Sequence, residues 1–277
     1  MRAFCLAAGL MLSLAAPAAA QVIPSAPNAR IVDGFLSHRA VYDLKLKTSR
    51  WASNVSNLSG RLVSEFDDVC EGYTFNQRIV TNFTDSQGQA ATGNFWVSTF
   101  ESADGKGYRF TLTNTVGGKE VERTVGSATR DAGGLAKVAF QQPAAKNITL
   151  SGGVIFPTEF MGRIVEAARR GQHGVTVKMF EGDAEGKVYD AFASIGTERA
   201  ASESDLAMPG GDTLRGLKAW PVTLTYYVSG TDNDLPDYET SFTLFENGVT
   251  SDVTLDYGEF SVSGQLRRIE EHKTPKC

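Results

Sequence analysis

The stretch Asp67–Val80, DDVCEGYTFNQRIV, decides how the chain is read. Tyr73, Phe75, Ile79 and, just beyond it, Phe83 fall on one face of an extended chain, with Gln77 as the interruption. Period two with aromatic and β-branched residues is the pattern of a half-buried strand. Carried backwards, the same parity places Cys70 in this strand-like run, on the face opposite the aromatic row. A crossing chain end could reach it there.

The alternation spreads outward from this point. In HRAVYDLKL, residues Ala40, Tyr42, Leu44 and Leu46 share one side. Downstream, NFWVSTF runs into ESADGKG, and YRFTLTNTV runs into GGKEV. Two hairpins are predicted later, VTVKMF with VYDAFASI across EGDAEGK, and YETSFTLF with VTSDVTLDYGEF across ENG. Gly, Asp and Asn supply the positive-φ positions that such turns need. In WPVTLTYYV, Pro221 lacks an N–H donor, which predicts an edge strand or a strand start. The loop around ERAASESDLAMPGGDT is polar and rich in small residues, and mobility is the expectation.

One segment breaks the rhythm. In PTEFMGRIVEAARRG, residues Phe160, Ile164, Ala167 and Ala168 recur at helical spacing. Thr158 is the expected cap, Glu159 sits at the positive end, Arg169 and Arg170 fill the last turn, and Gly171 ends it. The spacing predicts one helix over about residues 158–170 inside an otherwise all-β chain. It either plugs or flanks a curved sheet, or forms a lid over a pocket.

The first residues, MRAFCLAAGLMLSLAAPAAAQ, have an early cation, an apolar run and Ala18–Ala20 before Gln21. That is the plan of a secretory signal peptide over 1–20, too short and too broken at Pro17 for a membrane-spanning helix. An extended Pro/Ala arm over 21–36 and a single domain over 37–277 are expected to follow. The destination is the periplasm, and no later stretch reads as a membrane span. Removing Arg2 leaves 26 cations against 32 acids, a net charge of −6. Mild acidity without a basic block argues against nucleic acid as the partner.

Export also changes the cysteine arithmetic. Cys5 leaves with the leader, so Cys70 and Cys277 remain as one possible intramolecular pair. Such a bridge closes a loop of 277 − 70 = 207 steps, which chain-entropy reasoning values at about 5 kcal/mol. Two unpaired thiols are one alternative. A redox-active pair is another, against which stand the lack of C-x-x-C and the terminal place of Cys277. A structural staple is the reading that follows.

Searches for catalytic chemistry return little. Neither G-x-S-x-G nor H-E-x-x-H occurs, and there is no phosphate-binding glycine loop with its lysine. His38, His173 and His272 carry no local motif and read as surface or turn residues. The acids Asp232, Asp234, Asp237 and Glu239 in TDNDLPDYE could offer oxygens to a hard cation, but they lack the glycine and spaced glutamate of a calcium loop. They read as a solvated turn, as does EGDAEGK. No catalytic residue, cofactor or metal site is expected. A strongly bent sheet leaves one further possibility, an interior hollow enough to hold an acyl chain.

The ordered set HRAVYDLKL, DDVCEGYTFNQRIV, FPTEFMGRIVEAARRG with FEGDAEGKVYD, WPVTLTYYVSG, the YETSFTLFENGVTSDVTLDYGEF block and the terminal cysteine resembles the envelope integrity protein EipB family. The resemblance covers nearly the whole mature chain. It implies a broken, spiral-like β barrel with an internal helix, a Cys70–Cys277 disulfide and a role in maintaining the cell envelope barrier; with no catalytic constellation in the chain, a non-enzymatic periplasmic scaffold or binding module is the leading expectation. The expected partner is a periplasmic or envelope protein, or a lipid-like ligand. A lipid carrier, and more remotely a hydrolase of envelope components, are the alternatives.

Overall fold

The computed structural model describes residues 30–50, 53–150, 152–232, 235–275 and 277; the expected leader and residues 21–29 of the arm lie outside them. Eight antiparallel strands follow one another as hairpins: β1 (His38–Ser49), β2 (Val55–Asp68), β3 (Gly72–Asp85), β4 (Ala90–Ser102), β5 (Gly107–Val116), β6 (Lys119–Arg130), β7 (Ala136–Gln142) and β8 (Lys146–Leu150). After the short β9 (Val154–Ile155) comes the helix α1 (Pro157–Arg169), then β10 (Gly174–Met179) and β11 (Tyr189–Ile195). The short helix α2 (Glu203–Ala207) and a 3₁₀ turn at Gly211–Leu214 lead into β12 (Ala219–Val228), β13 (Tyr238–Phe245), β14 (Thr250–Asp256) and β15 (Phe260–Glu271).

Pairing of β1 with β15 joins the outgoing meander to the returning one, giving a single sheet of 15 strands that runs from β8 to β9. These two edges are neighbours in sequence, so the sheet is a nearly closed barrel with a seam between them. β9 and β10 are the parallel pair, because α1 carries the chain across between them.

Strand parity divides inside from outside. On β1, His38, Ala40, Tyr42 and Leu44 are buried and alternate with half-buried Arg39, Val41 and Asp43. The largest core cluster gathers β1, β2 and β10–β15 around α1, with Phe160 1% and Ile164 0% exposed. Each such side chain contributes about 1.5–3 kcal/mol of burial. The helix is therefore a plug, packed on β10 and β11. A second cluster, Tyr108, Phe110, Val138, Phe140, Phe156 and Phe180, fills one end of β5–β7. Tyr108 stacks on Phe156 at 4.8 Å, and Phe180 meets Phe110 edge-on.

Several local readings need correction. Cys70 lies in the bend between β2 and β3, with φ +67°, and not within a strand. Helix α1 begins at Pro157, so Thr158 is already inside it and does not cap it. Proline suits the first helical position because its fixed φ is helical and its missing N–H costs nothing there. The cap comes from elsewhere: the Glu101 carboxylate on β4 accepts the N–H groups of Thr158 (2.8 Å) and Glu159 (3.2 Å). At the other end Gly171 adopts φ +71°, and Gly171 and Gln172 donate to Ala168 and Ala167 as in a Schellman turn.

The loop after Arg199 is built rather than loose. Ser202 accepts from the Asp205 N–H while Asp205 accepts from the Ser202 N–H, a capping box that the small-residue composition concealed. Pro221 sits in an interior strand, near its start. Its carbonyl accepts from Gly196, so its missing donor faces the point where β11 ends.

Candidate functional site

Both ends of the described chain converge on the β2–β3 bend. Arg30 donates to Asp68 Oδ1 (2.6 Å), to the Cys70 carbonyl (3.1 Å) and to the Tyr73 hydroxyl (3.0 Å). Tyr73 in turn donates to the Val32 carbonyl (2.6 Å), fixing the N-terminal arm beneath the bend. The arm then passes over α1 so closely that a Cβ at Gly162 would stand 2.4 Å from the Ile31 carbonyl oxygen. From the other side, Cys277 is joined to Cys70 by an S–S bond of 2.03 Å.

His38 and His272 meet at this clamp. His272 Nδ1 lies 2.7 Å from Asp67 Oδ1, and its N–H donates to the Ser37 carbonyl. His38 is buried and its Nδ1–H donates to Leu36 (2.7 Å); burial lowers its pKa, and the neighbouring His272 adds to that. A serine stands close by, but Ser37 is 1% exposed and its Oγ accepts the Asp68 N–H and meets Thr274. The group has residue types found in hydrolases, but Ser37 and His38 are buried, while His272 and Asp67 are half-buried. It works as a latch. His173, in the turn after α1, bonds to the Ile195 carbonyl and stands apart from both.

The acids take structural tasks as well. Burial pushes Glu101 up to about 8 against the pull of the two helix N–H groups. Glu159, beside it, pairs with Arg130 (2.7 Å) and Arg163. Burial likewise raises Glu181 to about 7, where the Tyr238 hydroxyl donates to its carboxylate at 2.9–3.0 Å. Asp237 accepts from Tyr189 and Glu239 from Thr225, Asp232 is exposed, and Asp234 lies outside the described residues. Among the described residues no three His, Cys, Asp or Glu side chains gather as a metal set. No helix among them is long and apolar enough to cross a membrane.

What remains is the outer face of β1–β7. Two open hollows of about 550 and 470 Å³ adjoin there and share Asn76. Register shows how they are built. Glu65, Asn76, Ser98 and Thr111 follow one another across neighbouring strands as the floor. Val63, Arg78 and Trp96 form one flank, and Thr74, Phe100, Arg109 and Ser127 the other. Sequence reasoning missed this surface, because its arginines at 39, 61, 78 and 109 are gathered only by strand pairing.

A family model described as EipB-like matches residues 29–273. The cell envelope integrity protein EipB of Brucella abortus (strain 2308) is 34% identical over 243 residues, covering 86% of this chain and 85% of that protein. A crystal structure of a β-barrel-like protein of domain of unknown function DUF1849, also from Brucella abortus, superposes with a TM-score of 0.80 at 31% identity, covering 86% of this chain and 99% of that one. The sequence blocks, the seamed barrel and the internal helix are thus one inherited arrangement, and the chain belongs to the EipB-like family.

Proposed function

We propose that this chain supports the integrity of the cell envelope from the periplasm, as a non-catalytic module that works by binding another envelope component. The observation that carries the reading is the 34% identical relative, a protein named for cell envelope integrity. The side-chain chemistry is consistent with it. His38 and His272 sit at the clamped chain ends and Glu101 and Glu159 at helix α1, while on the outer face Arg78 and Arg109 have no carboxylate partner among the described residues. Deleting the gene and challenging cells with detergent, cell-wall antibiotics and osmotic shock tests the reading. Survival is expected to fall, and unchanged survival would contradict it.

A lipid-like ligand is the second reading, favoured by one feature. On the inner face of β3–β5, Phe75, Ile79, Phe83, Phe95, Val97 and Leu112 are only half-buried, unlike their counterparts around α1. Mass spectrometry of natively purified protein should then find bound lipid. Lipid-free protein would leave a protein or glycan partner as the component bound.

A further inference from the structure

The outer trough carries unspent chemistry. Arg78 uses one N–H on Asn94 Oδ1 (3.0 Å) and has no carboxylate partner among the described residues. Arg109 lies over Phe100, its guanidinium 4.3 Å from the ring centroid, and has no carboxylate partner among the described residues. Arg39 and Arg61 are paired, with Glu65 and Asp43. Of the four arginines that line the two hollows, Arg39 and Arg61 are thus balanced by Glu65, Glu270 and Asp43, and Arg78 and Arg109 are left without a carboxylate among the described residues, in a chain whose net charge is −5. Trp96 is 40% exposed, with Arg78 and Thr113 as its register neighbours.

Three properties of this trough select an occupant. The free guanidinium edges suit carboxylate or phosphate groups, which they grip through two parallel N–H donors. The indole and the stacked guanidinium offer flat faces to the C–H faces of sugar rings. Along the floor the Ser98 hydroxyl donates to Asn76 Oδ1 (2.7 Å), which leaves the Asn76 amide N–H groups and the Thr111 hydroxyl to meet sugar hydroxyls. A lipid tail finds no enclosed slot here, since both hollows are open to solvent, and an extended peptide finds no strand edge, since the backbone of β2–β6 is paired on both sides. We propose that the outer face of β1–β7 binds an acidic glycan, a saccharide chain bearing carboxylates or phosphates, laid along the row Asn76–Ser98–Thr111. The proposal rests on the binding-module reading and supplies one of its partners.

Titration calorimetry of the full chain with polygalacturonate and with its methyl ester is the test. Binding to the acidic polymer, weakening with added salt, and no binding to the ester are expected. Arg78→Ala and Arg109→Ala should each weaken binding about tenfold, as for one lost charge-assisted contact. Trp96→Ala should weaken it while leaving the salt slope unchanged. No binding, equal binding of the ester, or unaltered affinity in the arginine variants would overturn the proposal. So would equal affinity for polyglutamate, which would mark an unselective polyanion surface, or preference for phosphatidylglycerol vesicles, which would mark a lipid surface. Full rescue of a deletion strain's survival by the Arg78→Ala/Arg109→Ala chain would sink the glycan proposal alone. An unaffected deletion strain would sink the binding-module reading instead.

Discussion

The half of the barrel around α1 and the plate of β3–β6 are made from the same sheet, yet they spend their residues differently. Around α1 both the strands and the helix bury their apolar side chains almost completely: Ile164, Ala191, Ala193 and Leu244 are each 0% exposed. In the plate, the inner aromatics are half-covered, and the ends Thr84–Gly93 and Thr113–Arg123 extend beyond the core clusters. The first region holds the fold and the second presents surface. Arg30, the first described residue, and Cys277 are both fastened at the β2–β3 bend, where the two regions meet.

The contrast breaks most sharply through the plug. Phe160→Ala should cost about 3–5 kcal/mol, the toll of a large cavity in a closed core, whereas Phe95→Ala in the plate should cost much less. Denaturant midpoints of the two variants measure the difference, and equal losses would erase the distinction. Next in size is the clamp. Cys70→Ser should destabilise by about 2–5 kcal/mol, with matching losses on reduction of the parent chain. A variant as stable as the parent would mean that the fastened tail does not matter to the fold.

A smaller effect comes from Glu101, which joins the two regions by capping α1 from β4. Its folded pKa is raised from 4.5 to about 8 by burial, and that of Glu181 from 4.5 to about 7. A raised folded pKa contributes stability that is complete below about 4.5 and is lost as pH rises through the folded value. Urea midpoints should therefore fall between pH 5 and pH 9. Glu101→Gln should cost about 1 kcal/mol at low pH, the worth of a helix cap, and should flatten the upper part of the fall. A midpoint that rises over this interval would contradict the assignment. Smallest of all, Trp96→Ala should change stability by no more than about 0.5 kcal/mol, as for a surface position. A larger loss by thermal melting would make Trp96 part of the core rather than of a binding face.

How much of this was legible beforehand follows from how local each signal is. Alternation located the strands, and the Phe160, Ile164, Ala167 and Ala168 spacing located α1 within one residue at each end. Gly171 marked its end correctly because a Schellman turn is written in consecutive residues. Parity carried through Asp68–Gly72 puts Cys70 in a strand, but Asp68 and Gly72, two residues to either side, are turn formers, and the chain bends there. The cap on α1 could not be seen, since Glu101 lies more than fifty residues upstream. The His272–Asp67 contact spans 205 residues and needed the closed barrel to exist first. The trough is legible only once Val63, Arg78 and Trp96 are known to be cross-strand neighbours.

Native-state hydrogen exchange, followed by mass spectrometry across a denaturant series, tests most directly whether one region holds the fold while the other presents surface. Amides of α1 and β10–β13 should exchange only with global unfolding. Those of the projecting β3–β6 ends should open at lower denaturant, as expected of segments with few buried contacts. Uniform protection along the chain, or plate amides that outlast those of α1, would contradict the account.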